Sequence, residues 1–262
     1  MGLDGKRIVV TGAASGIGLA AATEFIAQGA RVVVADIDAT RAAAAAEGLG
    51  TGAVPLAVDV ADAASVAAMV AGAVAALGGL DGMFNNAGIV HPDDGDVCET
   101  GDAAWAATLA VNLSGVFHCC RAGIPALLAS GGGAIVNNAS IVGLLGSYPS
   151  QIGYTAAKGG VIAMTREIAV AHARSGIRAN CVSPGVTHTA MGAQLATDPA
   201  PRLTHIPAGR FAEPVEIARV VAFLLSDAGS YVTAQNWVVD GGMTGAFLCP
   251  PVPGAATGVR GA

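Results

Sequence analysis

The chain has 262 residues, enough for one α/β domain with a sizeable core. Thirteen Lys and Arg against nineteen Asp and Glu give a formal charge of −6, without a basic run, so nucleic acid and anionic membranes are not expected as partners. Hydrophobic residues make up 53 % but aromatic residues only 4 %, so small side chains account for the positive mean hydropathy and a membrane protein is not expected.

The first βα unit has the pattern of a dinucleotide site. Residues 6–11 form a predicted buried strand, and a glycine-rich turn leads into a helix ending near residue 28. Glycines at such a turn let backbone amides approach a pyrophosphate, although a lone glycine-rich turn also occurs without a ligand. A second buried strand, 31–36, ends in Asp36, about where a carboxylate accepts from both ribose hydroxyls.

Strands and helices continue to alternate, which predicts an α/β fold of doubly wound (Rossmann) type. We expect one domain over residues 1–245 with a mostly parallel seven-stranded sheet and helices on both faces. The uncharged stretch 63–80 has its larger apolar residues at helical spacing, so it is predicted to be an amphipathic helix and not a membrane span. An irregular segment at 186–211 is a candidate lid, and residues 246–262 form a predicted tail. The remaining strands are predicted at 53–58, 80–85, 134–138, 177–182 and 236–239, and the longer helices at 105–128, 153–174 and 214–226.

Tyr154 and Lys158 are four residues apart and lie on one face of a predicted helix. A free tyrosine ionises near pH ~10, and an ammonium group beside it favours the phenolate. The hydroxyl of Ser140 could then hold a carbonyl or alcohol oxygen for proton exchange with Tyr154. A Tyr–Lys pair at this spacing also arises by chance on solvated helices, so the pair needs support from the rest of the chain.

That support is a set of motifs that occur in one order along the chain. They are Thr11-Gly-x-x-x-Gly16-Ile-Gly18, Asp59-Val60, Asn85-Asn-Ala-Gly88, Asn112, Ser140 with Gly143, Tyr154-x-x-x-Lys158, Pro184-Gly185 and Asp240-Gly-Gly242. With these motifs the chain resembles, over residues 5–245, the compact branch of the short-chain dehydrogenase/reductase family. Tyr154 lies fourteen positions after Ser140, one more than the family spacing, which indicates an insertion within residues 144–152.

The resemblance implies catalytic roles for four residues. Tyr154 is expected to be the general acid/base, and Lys158 to bind the nicotinamide ribose and lower the pKa of Tyr154. Ser140 is expected to orient the substrate oxygen. Asn112 is expected to position a water that links Lys158 to solvent, or alternatively to be a polar residue satisfied within its own helix.

The resemblance also implies a cofactor site, and we expect NAD(H). Asp36 and Asp38 would repel a 2′-phosphate, and residues 13–15 of the turn provide no basic side chain. Thr189 matches the residue that holds the nicotinamide carboxamide. The residues expected to bind the cofactor are Gly12, Ser15, Gly16, Ile17, Gly18, Asp36, Ile37, Asp59, Val60, Asn86, Ala87, Gly88, Tyr154, Lys158, Pro184, Gly185, Val186, Thr187 and Thr189.

The expected substrate is a neutral secondary alcohol or ketone, because the candidate wall is apolar. Its residues are His91, Ile141, Val142, Leu144, Leu145, Gln151, Val186, His188, Met191 and Leu195, with His205 nearby. The alternative is a 3-oxoacyl thioester, which the acidic loop residues Asp93, Asp94, Asp96 and Glu99 disfavour, with Arg174 as the one base that suits an acyl carrier. A different class is a dinucleotide sensor without turnover, but such a protein would lack one of the four catalytic residues.

The remaining expectations concern assembly, metals and location. The two long helices, 105–128 and 153–174, carry apolar residues on more than one face, and family tetramers bury these helices, so a homotetramer is expected. The cysteines at 98, 119, 120, 181 and 249 have neither C-x-x-C nor metal-type spacing, so no metal site is expected. Their odd number favours reduced thiols and a cytoplasmic protein, and no signal-peptide pattern precedes the first strand.

Overall fold

The computed structural model describes residues 2–194 and 203–246. Its centre is a seven-stranded sheet in the order β3-β2-β1-β4-β5-β6-β7, in which every pair of neighbouring strands is parallel. This confirms the predicted sheet. The strands are β1 (Arg7–Thr11), β2 (Arg31–Asp36), β3 (Ala53–Ala57), β4 (Gly82–Asn85), β5 (Gly133–Asn138), β6 (Ile177–Pro184) and β7 (Asn236–Val239).

Helices cover both faces of this sheet, as the doubly wound fold requires. The strand core is apolar on both sides because successive side chains point to opposite faces: Val9 belongs to one core cluster, and Ile8 and Val10 belong to the other. The helices are α1 (Gly16–Ala27), α2 (Ala39–Leu49), α3 (Ala63–Leu77), α4 (Asp102–Leu109), α5 (Gly115–Ala129), α6 (Ile152–His172), α7 (Ala190–Gln194) and α8 (Pro214–Leu225).

The order of the strands in the sheet indicates where a ligand site is expected. From β1 the chain moves outward through β2 to β3, and then returns to β4 on the other side of β1. The connections therefore diverge at the carboxyl ends of β1 and β4, and ligands bind at such a crevice in open parallel sheets. The residues that follow β1, β4 and β5 meet at this edge.

Three helical features differ from the sequence prediction. The candidate lid at 186–211, predicted to be irregular, contains helix α7, and its residues 195–202 lie outside the described residues. Helix α2 was not predicted, because its alanine-rich sequence shows no strong apolar period; it begins after Asp38, whose side chain accepts hydrogen bonds from the Thr40 and Arg41 amides, both at 3.0 Å. The predicted helix 105–128 begins earlier, at Asp102, and contains a wider π-helical turn, Ala110–Ser114, between α4 and α5. Asn112 lies buried in this turn.

The described part of the chain contains one helix long and apolar enough to cross a membrane, Asp102–Ala129, with 39 % of its most apolar window buried. Core helices of soluble proteins pass the same test, and α5 packs against α3 and β5. The uncharged stretch 63–80, predicted to be an amphipathic helix, forms α3. This helix ends at Leu77 and is too short to span a bilayer. Its larger apolar residues, including Val66, Met69 and Val70, face the core, as the amphipathic pattern predicts.

Candidate active site

Two adjoining cavities lie at the carboxyl edge of the sheet. The larger has a volume of about 520 Å³ and the smaller about 300 Å³. Five residues line both, and they mark the boundary between the cavities: Ile17, Asn138, Tyr154, Thr189 and Met191. The site therefore consists of two chambers that meet at Tyr154.

The glycine-rich turn packs closely against itself and against the loop that follows β4. Gly12 has a φ of 62°, and a Cβ there would lie 2.9 Å from the Cα of Ala87. A Cβ on Gly18 would overlap the Gly12 carbonyl oxygen and come within 2.6 Å of the side-chain nitrogen Nδ2 of Asn86. This side of the turn therefore has no room for a side chain. Among the described residues no side chain caps α1, which leaves its first amide groups available to an anion. These features fit the pyrophosphate of a dinucleotide.

The smaller cavity collects most of the predicted cofactor residues. It is lined by Gly12, Ser15, Gly16, Ile17, Asp36, Ile37, Asp59, Val60, Asn86, Ala87, Gly88, Tyr154, Lys158 and Thr189. Gly18 lies beneath the turn and does not line it. Pro184, Gly185, Val186 and Thr187 line the larger cavity instead, which also contains Thr189.

The charged side chains near Asp36 differ in two respects from those expected from the sequence: Asp38 does not line the smaller cavity, and a basic residue does. The Asp36 carboxylate is buried and accepts hydrogen bonds from the Ala14 amide (3.1 Å) and the Asp38 amide (3.2 Å). The Asp38 carboxylate, predicted to repel a 2′-phosphate, is turned toward the start of α2, which it caps. Arg41 also lines this cavity. Sequence reasoning missed Arg41, because it considered only the turn and did not predict α2.

The Ser140, Tyr154 and Lys158 side chains converge where the two cavities meet. Ser140 follows β5, and Tyr154 and Lys158 lie on α6. The Lys158 Nζ donates a hydrogen bond to the Asn138 carbonyl oxygen at 2.7 Å and lies 5.3 Å from the centre of the Tyr154 ring. The ammonium group is thus held between the end of β5 and the phenol ring.

Burial shifts the pKa of both ionisable groups on this helix face. It raises the pKa of Tyr154 to about 12, while the Ser140 side chain acts in the opposite direction by hydrogen bonding. Burial lowers the pKa of Lys158 to about 8, and the thiol of Cys181 acts against that shift. Each shift favours the neutral form. A positive charge close to the ring is therefore needed to make the phenolate accessible near neutral pH.

Asn112 links its own helix to the loop after β4. Its Oδ1 accepts from the Ile89 amide at 3.0 Å, and its Nδ2 donates to the carbonyl oxygens of Ile89 (2.9 Å) and Thr108 (3.0 Å). A Cβ on Gly88 would lie 2.7 Å from the Asn112 Oδ1 and 3.6 Å from the Lys158 Nζ. Asn112 is therefore bonded partly within its own helix and lies close to Lys158; its relay role stays a prediction.

The larger cavity contains part of the predicted substrate wall. Ile141, Val142, Leu145, Gln151, Val186 and Met191 line it, as does His205. His91 and His188 do not: the His91 Nδ1 accepts from the Asp93 amide, and the exposed His188 packs against Phe211. Leu144 points to solvent, and Leu195 lies outside the described residues. Sequence reasoning missed Val90, Gly146, Ser147, Tyr148 and Met243.

The predicted acidic rim needs correction. Asp94 is buried, and its carboxylate binds the first turn of α6, so it is not a surface charge at the cavity mouth. Asp93, Asp96 and Glu99 are exposed, but they are absent from the described lining of the larger cavity. Arg174, the base considered for an acyl carrier, follows the carboxyl end of α6, roughly 30 Å along the helix from Tyr154.

Comparison with known proteins agrees with the fold. A family model described as "Enoyl-(Acyl carrier protein) reductase" matches residues 12–244. The 2-(S)-hydroxypropyl-CoM dehydrogenase 3 of Xanthobacter autotrophicus is 40% identical over 252 residues, 92% of this chain and 98% of that protein. Cyclohexanol dehydrogenase of an Acinetobacter species is 41% identical over 245 residues, 91% of this chain and 95% of that protein.

A solved structure, a short-chain type dehydrogenase/reductase from Mycobacterium marinum, superimposes with a TM-score of 0.89 at 34% identity, covering 93% of this chain and 97% of that one. Together, the parallel sheet, the two-chambered site and these relatives define an oxidoreductase of the class that uses nicotinamide cofactors. The chain belongs to the short-chain dehydrogenase/reductase family, which confirms the resemblance noted from its motifs.

Proposed function

We propose that the protein is an NAD(H)-dependent dehydrogenase that interconverts a neutral secondary alcohol and the corresponding ketone. The observation that carries the proposal is the position of Tyr154 at the boundary between the cavity that fits a dinucleotide and a second, larger cavity. A proton donor at that boundary can reach a substrate oxygen in the larger cavity. The reduced thiols of Cys119, Cys120 and Cys181, all buried, fit a cytoplasmic location.

The chain's own residues manage the proton. In alcohol oxidation, Tyr154 as phenolate accepts the hydroxyl proton, and in ketone reduction its hydroxyl returns one. Ser140 holds the same substrate oxygen, and the Lys158 ammonium stabilises the phenolate. The glycine-rich turn, Asp36, Lys158 and Thr189 would hold NAD, which would supply the hydride chemistry when bound.

The larger cavity favours a neutral substrate. Its wall includes Ile17, Val90, Ile141, Val142 and Leu145. Hydroxyl and amide side chains and His205 also line it, but among the described residues no Lys, Arg, Asp or Glu does. Such a wall binds apolar rings and chains and does not compensate an anion. The name of one relative, cyclohexanol dehydrogenase, is consistent with this substrate class.

The test is kcat/KM at low salt for neutral cyclic and aryl ketones against a 3-oxoacyl thioester. We expect the neutral ketones to be preferred by at least roughly tenfold, which corresponds to about 1.4 kcal/mol in transition-state binding. A clear preference for the thioester would instead support the second candidate function, toward which the acyl-carrier description of the family model points. Cofactor binding without turnover of any alcohol or ketone would support the alternative hypothesis of a dinucleotide sensor that has no enzymatic activity.

The cofactor preference is predicted to depend on Asp36 and Arg41. Asp36→Ala removes the carboxylate that would accept from the ribose hydroxyls and repel a 2′-phosphate, so we expect the preference for NAD over NADP to narrow by roughly 10- to 100-fold. Adding Arg41→Ala should reverse part of that change, because Arg41 is the base at this end of the smaller cavity. The measurement is kcat/KM with each cofactor at fixed substrate. A wild-type preference for NADP would contradict the assignment.

The proposal includes a homotetramer. Trp105, Phe117, Leu128 and Val170, on α4 to α6, carry apolar surface that is exposed in the single chain. We expect light scattering at micromolar concentration to give about four times the mass of the chain. Val170→Glu should lower that mass, whereas Tyr231→Glu, on a loop elsewhere, should leave it unchanged. A monomeric wild type would refute the assignment.

A further inference from the structure

The first turn of α6 is held from outside the helix. The Ile152 amide donates to the Gly95 carbonyl oxygen at 3.0 Å, whereas the Gly153 and Tyr154 amides donate to the two carboxylate oxygens of Asp94, each at 2.8 Å. Gln151, at the N-cap position, makes no side-chain capping bond. The loop that follows β4 therefore supplies the partners that a helix start needs.

The Asp94 carboxylate is buried at the start of α6, and its surroundings hold it there. It is only 7 % exposed, so its charge requires compensation, which the two amides and the positive end of the helix dipole provide. Its own amide donates to the His91 carbonyl oxygen at 3.1 Å. A Cβ on Gly153 would lie 3.2 and 3.3 Å from the carboxylate oxygens, so the absence of a side chain at 153 lets the carboxylate approach.

We propose that Asp94 is a positioning residue for proton transfer, fixing the first turn of α6 so that the Tyr154 hydroxyl meets Ser140. The inference rests on the proposed function, because it assumes that Tyr154 exchanges the proton. Tyr154 and Ser140 lie on different elements, so their separation depends on how α6 sits against the end of β5. Asp94 binds the backbone of Tyr154 itself, and a misplacement of about 1 Å costs on the order of 100-fold in rate.

A cap that only stabilises its helix would act differently, and the chain offers a matched control. Asp62 caps α3 by accepting from the Ala64 amide at 3.0 Å, and it is absent from the described lining of both cavities. Asp94→Ala and Asp62→Ala each remove one aspartate cap and one negative charge. A loss of helix stability should lower the melting temperature of both variants, and more for Asp94, which is buried and accepts from two amides. A positioning role should lower kcat in the Asp94 variant alone.

The experiment measures kcat, the KM for NAD and the melting temperature with a cyclic alcohol that the wild type oxidises. We expect Asp94→Ala to lower kcat at least roughly 30-fold with the KM for NAD within about twofold, and Asp94→Asn, which keeps one acceptor oxygen, to be intermediate. Asp62→Ala should lower the melting temperature but leave kcat within about twofold. A kcat for Asp94→Ala within about threefold of the wild type, or an equal loss in Asp62→Ala, overturns the inference.

A second readout separates this inference from the proposed function. Amide hydrogen exchange without substrate should be faster at Gly153 and Tyr154 in Asp94→Ala, and unchanged exchange there overturns the inference. A wild type that turns over no alcohol would refute the proposed function, while the exchange result still decides whether Asp94 holds the turn. If Asp94→Ala does not fold, Asp94→Asn takes its place, because it keeps one acceptor oxygen and loses the other; a kcat within about threefold of the wild type in that variant overturns the inference.

Discussion

Tyr154→Phe is expected to lower kcat for alcohol oxidation by at least about 10³-fold while changing the Kd for NAD by less than about twofold. The substitution removes only the phenol oxygen, and general acid–base catalysis contributes about 10²- to 10⁴-fold. The ring remains to line both cavities, so the cofactor surface is retained. Stopped-flow turnover and a fluorescence titration with NAD measure the two quantities separately.

Tyr148→Phe is the matched control. Tyr148 also lines the larger cavity, but its side chain is almost fully exposed, so the loss of its hydroxyl should change kcat by less than about twofold. If Tyr154→Phe retained more than about a tenth of the wild-type kcat, another group would have to handle the proton.

The pH dependence follows from the raised pKa of Tyr154, about 12 when the phenol is buried. The phenolate is the form that accepts a proton, so alcohol oxidation should speed up as pH rises, and ketone reduction should be favoured toward lower pH. Lys158 influences the pH at which the phenolate forms, because its Nζ is 5.3 Å from the centre of the Tyr154 ring. An opposite charge within ~4–6 Å typically shifts a pKa by roughly 1 to 3 units, so we expect the ammonium group to lower the pKa of the phenol by about two units.

Lys158→Ala should therefore damage both catalysis and cofactor binding. We expect kcat near neutral pH to fall roughly 100-fold and the acid limb of the pH–rate profile to move upward by about two pH units, because the phenolate loses its cation. The KM for NAD should rise, since Lys158 also lines the smaller cavity. Lys6→Ala, which removes an equal charge at an exposed pair with Asp227, is the control and should shift neither quantity. An unchanged acid limb in Lys158→Ala would remove Lys158 from the mechanism.

The sequence predicted the regular parts of this protein well and the side-chain orientations less well. The run at 31–36 reads as a buried strand because both its faces are covered, and β2 has those bounds. Helix α2 was missed, since an alanine-rich surface helix has little apolar period and its start depends on the Asp38 cap.

Residues in loops show more clearly that the orientation of a side chain could not be predicted from the sequence. Charge in the sequence indicated a rim that included Asp94, but whether a carboxylate faces solvent or a helix terminus depends on how two distant segments pack. Chain position alone predicts His91 and His188 near the site, but neither is among the described residues that line the larger cavity. Asp36, by contrast, ends a strand whose direction the sheet fixes, and it lies in the cavity where the motif predicts it.

The π-helical turn at Ala110–Ser114 makes the middle of a long helix sensitive to length. A residue added or removed in an α-helix rotates everything beyond it by about 100°. Before the turn α4 packs against α6, and beyond it α5 packs against α3 and the sheet, so the turn sets the angle between two faces with different neighbours. Deleting one residue here would restore regular winding and would therefore remove the wider turn in which Asn112 lies buried. Insertions and deletions are therefore expected to be better accepted in the surface loop at 144–151 than in this helix.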